Sequence, residues 1–113
     1  MARYVLVVEP AFTERQTPGD NLTLHDAIYR ASPGLVLVVE AGDVDYAVAG
    51  GNVCAVAQKL GIAALIVDGV IRDLAEVHDN CFPLFARSVI PILGAKKEPG
   101  ALNRPVQCGG VQV

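Results

Sequence analysis

The sequence predicts an α/β domain, and three observations carry that prediction. Two short unbroken apolar runs, Leu35–Val39 and Ala63–Val67, have the character of strands covered on both faces. Ahead of each lies a segment whose apolar residues recur at helical spacing. The end of the chain reads as strands and turns at Gly109-Gly110, a two-residue hairpin signal. Strands alternating with helices before a strand-rich end belong to the α/β class.

The elements follow in order. Tyr4–Val8 is β-branched and apolar, a predicted strand that Glu9-Pro10 ends. Ala11–Pro18 is polar with no apolar period and reads as a loop. Asp20 is a candidate N-cap for a helix over Asn21–Ala31, with Leu24, Ala27, Ile28 and Ala31 on one face. Ser32-Pro33-Gly34 stops it, and the run to Val39 passes into an acidic loop, Glu40–Asp45. A second helix lies within Ala47–Leu60, its inward positions Val53, Ala57 and Leu60, with Gly61 suited to the residue after its C-cap. Beyond the strand to Val67, Asp68-Gly69 turns the chain. Asp73–His78 forms a short third helix with a carboxylate near its N-terminus. Pro83–Ala86 is a strand, and Ile90–Leu93 is another that Pro91 confines to an edge. Ala95–Asn103 reads as a loop, and Pro105–Cys108 with Val111–Val113 as a hairpin.

Composition narrows the function. A chain of 113 residues makes one domain with one core. A net charge of −3, with Lys and Arg scattered, gives no basic stripe for nucleic acid. No apolar run approaches the roughly 20 residues that span a bilayer, and the opening stretch, followed at once by Glu9 and Pro10, reads as a first strand and not a signal peptide. Cys54, Cys81 and Cys108 form no CxxC pair, so reduced thiols in a cytoplasmic protein are expected. Neither His25 nor His78 has a second His or Cys at ligand spacing, which argues against zinc.

The informative stretch is Gly50–Glu76. A Gly-Gly pair ahead of a helix leaves its first N–H groups open to an anion such as a carboxylate. The strand that follows delivers Arg72 and Asp73 just past its end, where open α/β sheets place ligands. Gly50, Gly51, Asn52, Arg72 and Asp73 are expected to converge on one pocket. By spacing alone, each part has a plainer reading. On that basis Gly50-Gly51 reads as a tight turn, and Arg72-Asp73 as a capped helix with a surface ion pair. Asp43, Asp45 and Asp68 could surround a metal or be caps and solvated charges, Asp68 being the best placed of them to line the pocket. Glu76, about one turn beyond the Arg-Asp pair, is positioned to orient Arg72 or hold metal-bound water.

At these residues the sequence resembles the RraA-like family, which takes its name from regulator of ribonuclease activity A and includes metal-dependent 4-hydroxy-4-methyl-2-oxoglutarate aldolases. The resemblance rests on Gly50-Gly51-Asn52, Val67–Asp73, Phe82–Arg87 and Cys108–Val113, with Pro18–Asn21 and the valine run to Glu40 similar too. Four separated motifs in one order make a specific match. The resemblance implies a swivelling three-layer β/β/α sandwich. It also implies a homotrimer or dimer of trimers whose subunits cover exposed apolar surface. Family members usually carry a further N-terminal helix and a longer C-terminal part, so the expectation is a single domain over residues 1–113 without those extensions.

By the same resemblance, Asp73 would hold a divalent cation, Mg²⁺ or Mn²⁺, with water in most other positions. Arg72 would pair with substrate oxygens, and the backbone N–H groups of Gly51, Asn52 and Val53 would hold a carboxylate. The implied activity is a lyase, an aldolase or an oxaloacetate decarboxylase, acting on a small 2-oxo acid through a pyruvate enolate. Arg87 matches the family as well and reads as a structural ion-pair partner. One departure stands out: where the aldolases place an acidic residue ahead of the Arg, this chain has Gly51. The rival reading is a regulator that binds a partner protein such as a ribonuclease. A methyltransferase reading has no support, since no second glycine loop precedes an acidic strand end.

Overall fold

Ala11–Arg15 forms the first strand (β1) of the computed structural model, which describes residues 9–16, 18–79, 81–92 and 100–113. The strand expected over Tyr4–Val8 lies outside the described residues. Helix α1 spans Leu22–Arg30, β2 Val36–Glu40, β3 Ala47–Ala49, α2 Gly51–Lys59, β4 Ala64–Asp68, β5 Val70–Ile71 and α3 Leu74–Asp79. Then come β6 Leu84–Phe85, β7 Ser88–Val89, β8 Ala101–Leu102, β9 Gln107–Cys108 and β10 Val111–Gln112.

The main sheet has the order β6-β4-β2-β1-β8, parallel except for β8. Its alternate faces are covered by different things. Leu37, Val39, Leu65 and Val67 face a core closed by Leu24, Ala27 and Ile28 of α1, Val53, Cys54 and Ala57 of α2, and Val77 of α3. Val36, Val38 and Ala64 face the other way, onto Val106 and Cys108 of the C-terminal hairpin segment. This double cover is why β2 and β4 read as continuous apolar runs. Each fully buried leucine contributes about 2 kcal/mol by its removal from water. The result is a mixed α/β domain with helices on one face of the main sheet and β structure on the other, as the β/β/α expectation requires. A second, all-parallel sheet, β3-β5-β7, is short and adds Val48, Ala49 and Ile71 to the helix-side core.

Four expectations need correction. Ala11–Pro18 is not a loop, because β1 pairs along its whole length with β2. Its polar residues hid the strand: Thr13 Oγ1 donates to the Arg104 carbonyl and Arg15 pairs with Glu40, so tertiary partners satisfy what local pattern could not show. Of the strand expected at Ile90–Leu93, Leu93 lies outside the described residues, and the strand found here sits earlier, at Ser88–Val89, since Pro91 has no N–H for a ladder. Ala101–Leu102, expected as loop, pairs antiparallel with Glu14 and Arg15. Leu60 lies beyond α2 and is exposed, because the helix ends at Lys59 and Gly61 takes φ 85°. The hairpin turn at Gly109-Gly110, by contrast, is as read: both glycines have positive φ, the demand of a type I′ turn.

Candidate functional site

The site is assembled where the second sheet meets two helices. β3 ends at Ala49, and its carbonyl accepts the Arg72 N–H at 2.9 Å, which places the residue after β5 beside the residue after β3. Gly50 is extended and caps α2, its carbonyl accepting the Cys54 N–H at 3.0 Å. Asp73 then adopts φ 59°, a left-handed conformation that Asp tolerates better than most residues. That turn sends the Asp73 carboxylate back over the start of α2. Its Oδ2 accepts the Gly51 N–H at 3.3 Å and lies 3.2 Å from the Arg72 guanidinium. The side chains of Arg72 and Asp73 remain 29% and 37% exposed, so the pair is open to a ligand.

The glycines are required by these approaches. A Cβ on Gly50 would fall 2.7 Å from Asp73 Oδ2 and 2.8 Å from Arg72 Cγ. A Cβ on Gly51 would overlap the Glu76 carboxylate, which α3 brings over the first turn of α2. Glu76 is also close enough to Cys54 to act on it: burial first, and then the Glu76 charge, push the thiol up to about 11. Gly50, Gly51, Arg72, Asp73 and Glu76 therefore share one place. Asn52 is exposed in the first turn of α2, while the Val53 side chain is buried in the core and only its backbone faces that end. The Gly51 N–H is engaged by Asp73, so the Asn52 and Val53 amides are the first-turn donors left to an anion.

Asp68 goes elsewhere. It pairs with Arg87 and accepts the Gly109 N–H at 3.2 Å, tying β4 to the hairpin. The Arg87 hydrogen bond, aided by Gly109 and opposed by desolvation, holds its carboxyl below the usual range. With Glu40, Gly42, Asp43, Val44 and Arg87 it borders a cleft of about 420 Å³ that none of the Gly50–Val53, Arg72 or Asp73 residues lines. Sequence reading missed the row behind this arrangement. Arg15, Glu40 and Asp68 are direct cross-strand neighbours at the ends of three parallel strands, a register that appears only once β1 is recognised as a strand. Glu40 also accepts the Gln107 N–H at 3.0 Å, so two carboxylates of this row hold the hairpin. Asp68→Asn is expected to loosen it, which hydrogen exchange would report as faster exchange at Gly109 with little change at Leu37.

Among the described residues no three His, Cys, Asp or Glu side chains gather as a metal cage, Cys54, Cys81 and Cys108 are free thiols, and no helix is long and apolar enough to cross a membrane.

These features define an α/β domain with an exposed guanidinium–carboxylate pair at a glycine-opened helix N-terminus. The chain belongs to the RraA-like family, whose model, described as Aldolase/RraA, matches residues 1–113. It is 44% identical over 108 residues to a Halalkalibacterium halodurans protein provisionally named a 4-hydroxy-4-methyl-2-oxoglutarate aldolase, covering 95% of this chain and 51% of that one. The structure of the RNA-processing inhibitor RraA from Thermus thermophilus superposes with a TM-score of 0.85 at 29% identity, covering 93% of this chain and 64% of that one. A Geobacillus kaustophilus structure described as an S-adenosylmethionine:2-dimethylmenaquinone methyltransferase gives 0.86 at 30% identity, covering 92% and 65%. The chain thus spans about half the length of the first of these relatives and under two thirds of the other two.

Proposed function

We propose that this domain carries the site of a divalent-metal-dependent lyase that cleaves a small 2-oxo acid to release pyruvate. The observation that carries the reading is the meeting of Arg72 and Asp73, 3.2 Å apart, at the N-terminus of α2, where Gly50 and Gly51 present no side chain. The donor chemistry suits Mg²⁺ or Mn²⁺: such ions keep most of their water and need one or two carboxylates, and Asp73 offers an exposed one. Bound there, the ion would act as a Lewis acid toward the 2-oxo acid.

The chain's own groups would do the rest. The Asn52 and Val53 amides and the positive end of α2 would hold the substrate carboxylate. The Arg72 guanidinium would face the oxygen that gains charge as the C3–C4 bond breaks and the pyruvate enolate forms, and fixed donors aimed at developing charge favour that step most. Retro-aldol cleavage of a 4-hydroxy-2-oxo acid and decarboxylation of oxaloacetate share that step. This places the proposal in the activity class named for the family's aldolases.

The direct test is pyruvate release from 4-hydroxy-4-methyl-2-oxoglutarate and from oxaloacetate, with Mg²⁺ and with EDTA. Release that needs the ion supports the lyase, while folded protein inert toward both substrates contradicts it. A second reading, a regulator that binds a ribonuclease, is favoured by the inhibitor role stated for the Thermus structure and by exposed Phe85, Val89 and Ile92 near the sheet edges. In either role an oligomer is expected to cover part of that apolar surface.

A further inference from the structure

Among the described residues, the buried side-chain atoms without a hydrogen-bond partner are all acceptor oxygens: both of Glu14, Oε1 of Gln16 and Oδ1 of Asn21. Those of Gln16 and Asn21 belong to residues that line one small cavity, apart from the Arg72–Asp73 site. Gln16 is 5% exposed and Asn21 7%. The Asn21 Nδ2 donates to the Val48 carbonyl at 3.4 Å, which settles which end of that amide is the free acceptor. A buried acceptor with neither a donor nor a cation is costly.

The cavity gathers four parts of the chain. Gln16 follows β1, Asp20 and Asn21 precede α1, Asp43 lies in the loop after β2, and Val48 belongs to β3. Close approaches hold these turns together. A Cβ on Gly42 would fall 2.8 Å from Pro18 Cγ, and one on Gly19 would lie 3.9 Å from Asp43 Oδ2, so the Asp43 carboxylate sits over the turn into α1. Asp20 is buried, and its Oδ1 accepts the Leu22 N–H at 2.9 Å. Two carboxylates and two amide side chains thus border a space of about 10 Å³, room for one water-sized sphere. Among the described residues no Lys, Arg or His lines it.

We propose that this cavity is a Ca²⁺ site with Gln16, Asp20, Asn21 and Asp43 as ligands. Two carboxylates balance the charge of a divalent ion. Taken bidentately, and with the two amide carbonyls, they supply up to six hard oxygens, the lower end of the Ca²⁺ range. Mg²⁺ demands a near-ideal octahedron and keeps several waters, for which the space has no room. The bound ion fastens β1, the turn into α1 and the loop after β2 to β3, the strand that leads to Gly50. The proposal does not depend on the lyase reading.

Equilibrium dialysis with radioactive Ca²⁺ and thermal unfolding test it, both in Asp73→Asn protein, which lacks the other proposed cation ligand. One Ca²⁺ is expected to bind each chain. At about a hundredfold excess over Kd it is expected to raise Tm by roughly 10 °C relative to EDTA, whereas Mg²⁺ and Mn²⁺ leave Tm unchanged. Gln16→Met keeps the bulk of the side chain and removes its oxygen, and Asp43→Asn removes one charge outside any helix or strand. Each is expected to lower Ca²⁺ affinity at least about tenfold. In EDTA, Gln16→Met is expected to melt no lower than its parent, because it deletes an acceptor that has no partner without the ion. Should Gln16→Met fail to fold, Asp43→Asn decides alone. No bound Ca²⁺, Ca²⁺ affinity that survives Asp43→Asn, or an equal rise in Tm with Na⁺ or Mg²⁺ would each overturn the assignment, and the cavity would then be a water site.

Discussion

Asp73→Asn is expected to lower metal-dependent pyruvate release by at least about 10²-fold, the scale on which loss of one preorganised electrostatic group is felt in a catalytic step. Asparagine tolerates the left-handed φ of 59° and keeps an oxygen for the Gly51 N–H, so the fold and the cap on α2 should survive. What it loses is the charge that a hard cation requires. Urea unfolding of the variant should therefore resemble wild type while activity is lost. A variant that unfolds early would assign Asp73 to the cap instead, and a variant that keeps its activity would remove it from the chemistry. Asp73→Ala separates less cleanly, because it also deletes the bond to Gly51.

The second large effect concerns stability. Glu14 is fully buried, neither carboxylate oxygen has a hydrogen-bond partner among the described residues, and its cross-strand neighbour Val39 faces the helix-side core. Desolvation raises its pKa from 4.5 to about 9. The sign follows from proton counting. Between these two values the folded protein keeps a proton that the unfolded chain releases, so stability falls as pH rises through that window and levels off above it. At pH 7 the loss is about 3 kcal/mol relative to pH 4.5, at 1.36 kcal/mol per unit. Glu14→Gln carries no such dependence. It is expected to unfold at the same urea concentration as wild type near pH 4.5 and to be the more stable by about 3 kcal/mol at pH 7. A variant less stable than wild type at both pH values would mean that the carboxylate is satisfied in the folded protein.

That same residue explains part of what the sequence hides. Leu35–Val39 and Ala63–Val67 are legible because both faces of β2 and β4 are covered and every position must be apolar. β1 carries Thr13, Glu14 and Arg15 inside the same sheet, between β2 and β8, and only pairing with these two reveals it as a strand. Two-residue strands such as β5, β7 and β8 leave no period to read; their partners lie far along the chain. The site was more legible than the fold around it. Gly50, Gly51, Arg72 and Asp73 could be named because a glycine turn before a helix and a charged pair after a strand are local signals. Sequence reading put Asp68 at the same site because it shares a strand end, yet strand β4 and strand β5 belong to different sheets, and Asp68 is turned to Arg87 and the hairpin. The closeness of Glu76 to Gly51 also had no sequence signal, since it depends on how α3 lies against α2.

The central claim is that Arg72, Asp73 and the start of α2 together form a site for a cation and a 2-oxo acid. Mn²⁺ binding followed by electron paramagnetic resonance, alone and with oxalate as a planar mimic of the enolate, tests it without requiring turnover. The account predicts that Mn²⁺ binds and that oxalate tightens its binding. It further predicts that Asp73→Asn abolishes Mn²⁺ binding, and that Arg72→Ala leaves Mn²⁺ bound but removes the effect of oxalate. Mn²⁺ that does not bind, or that binds equally well to Asp73→Asn, would contradict it.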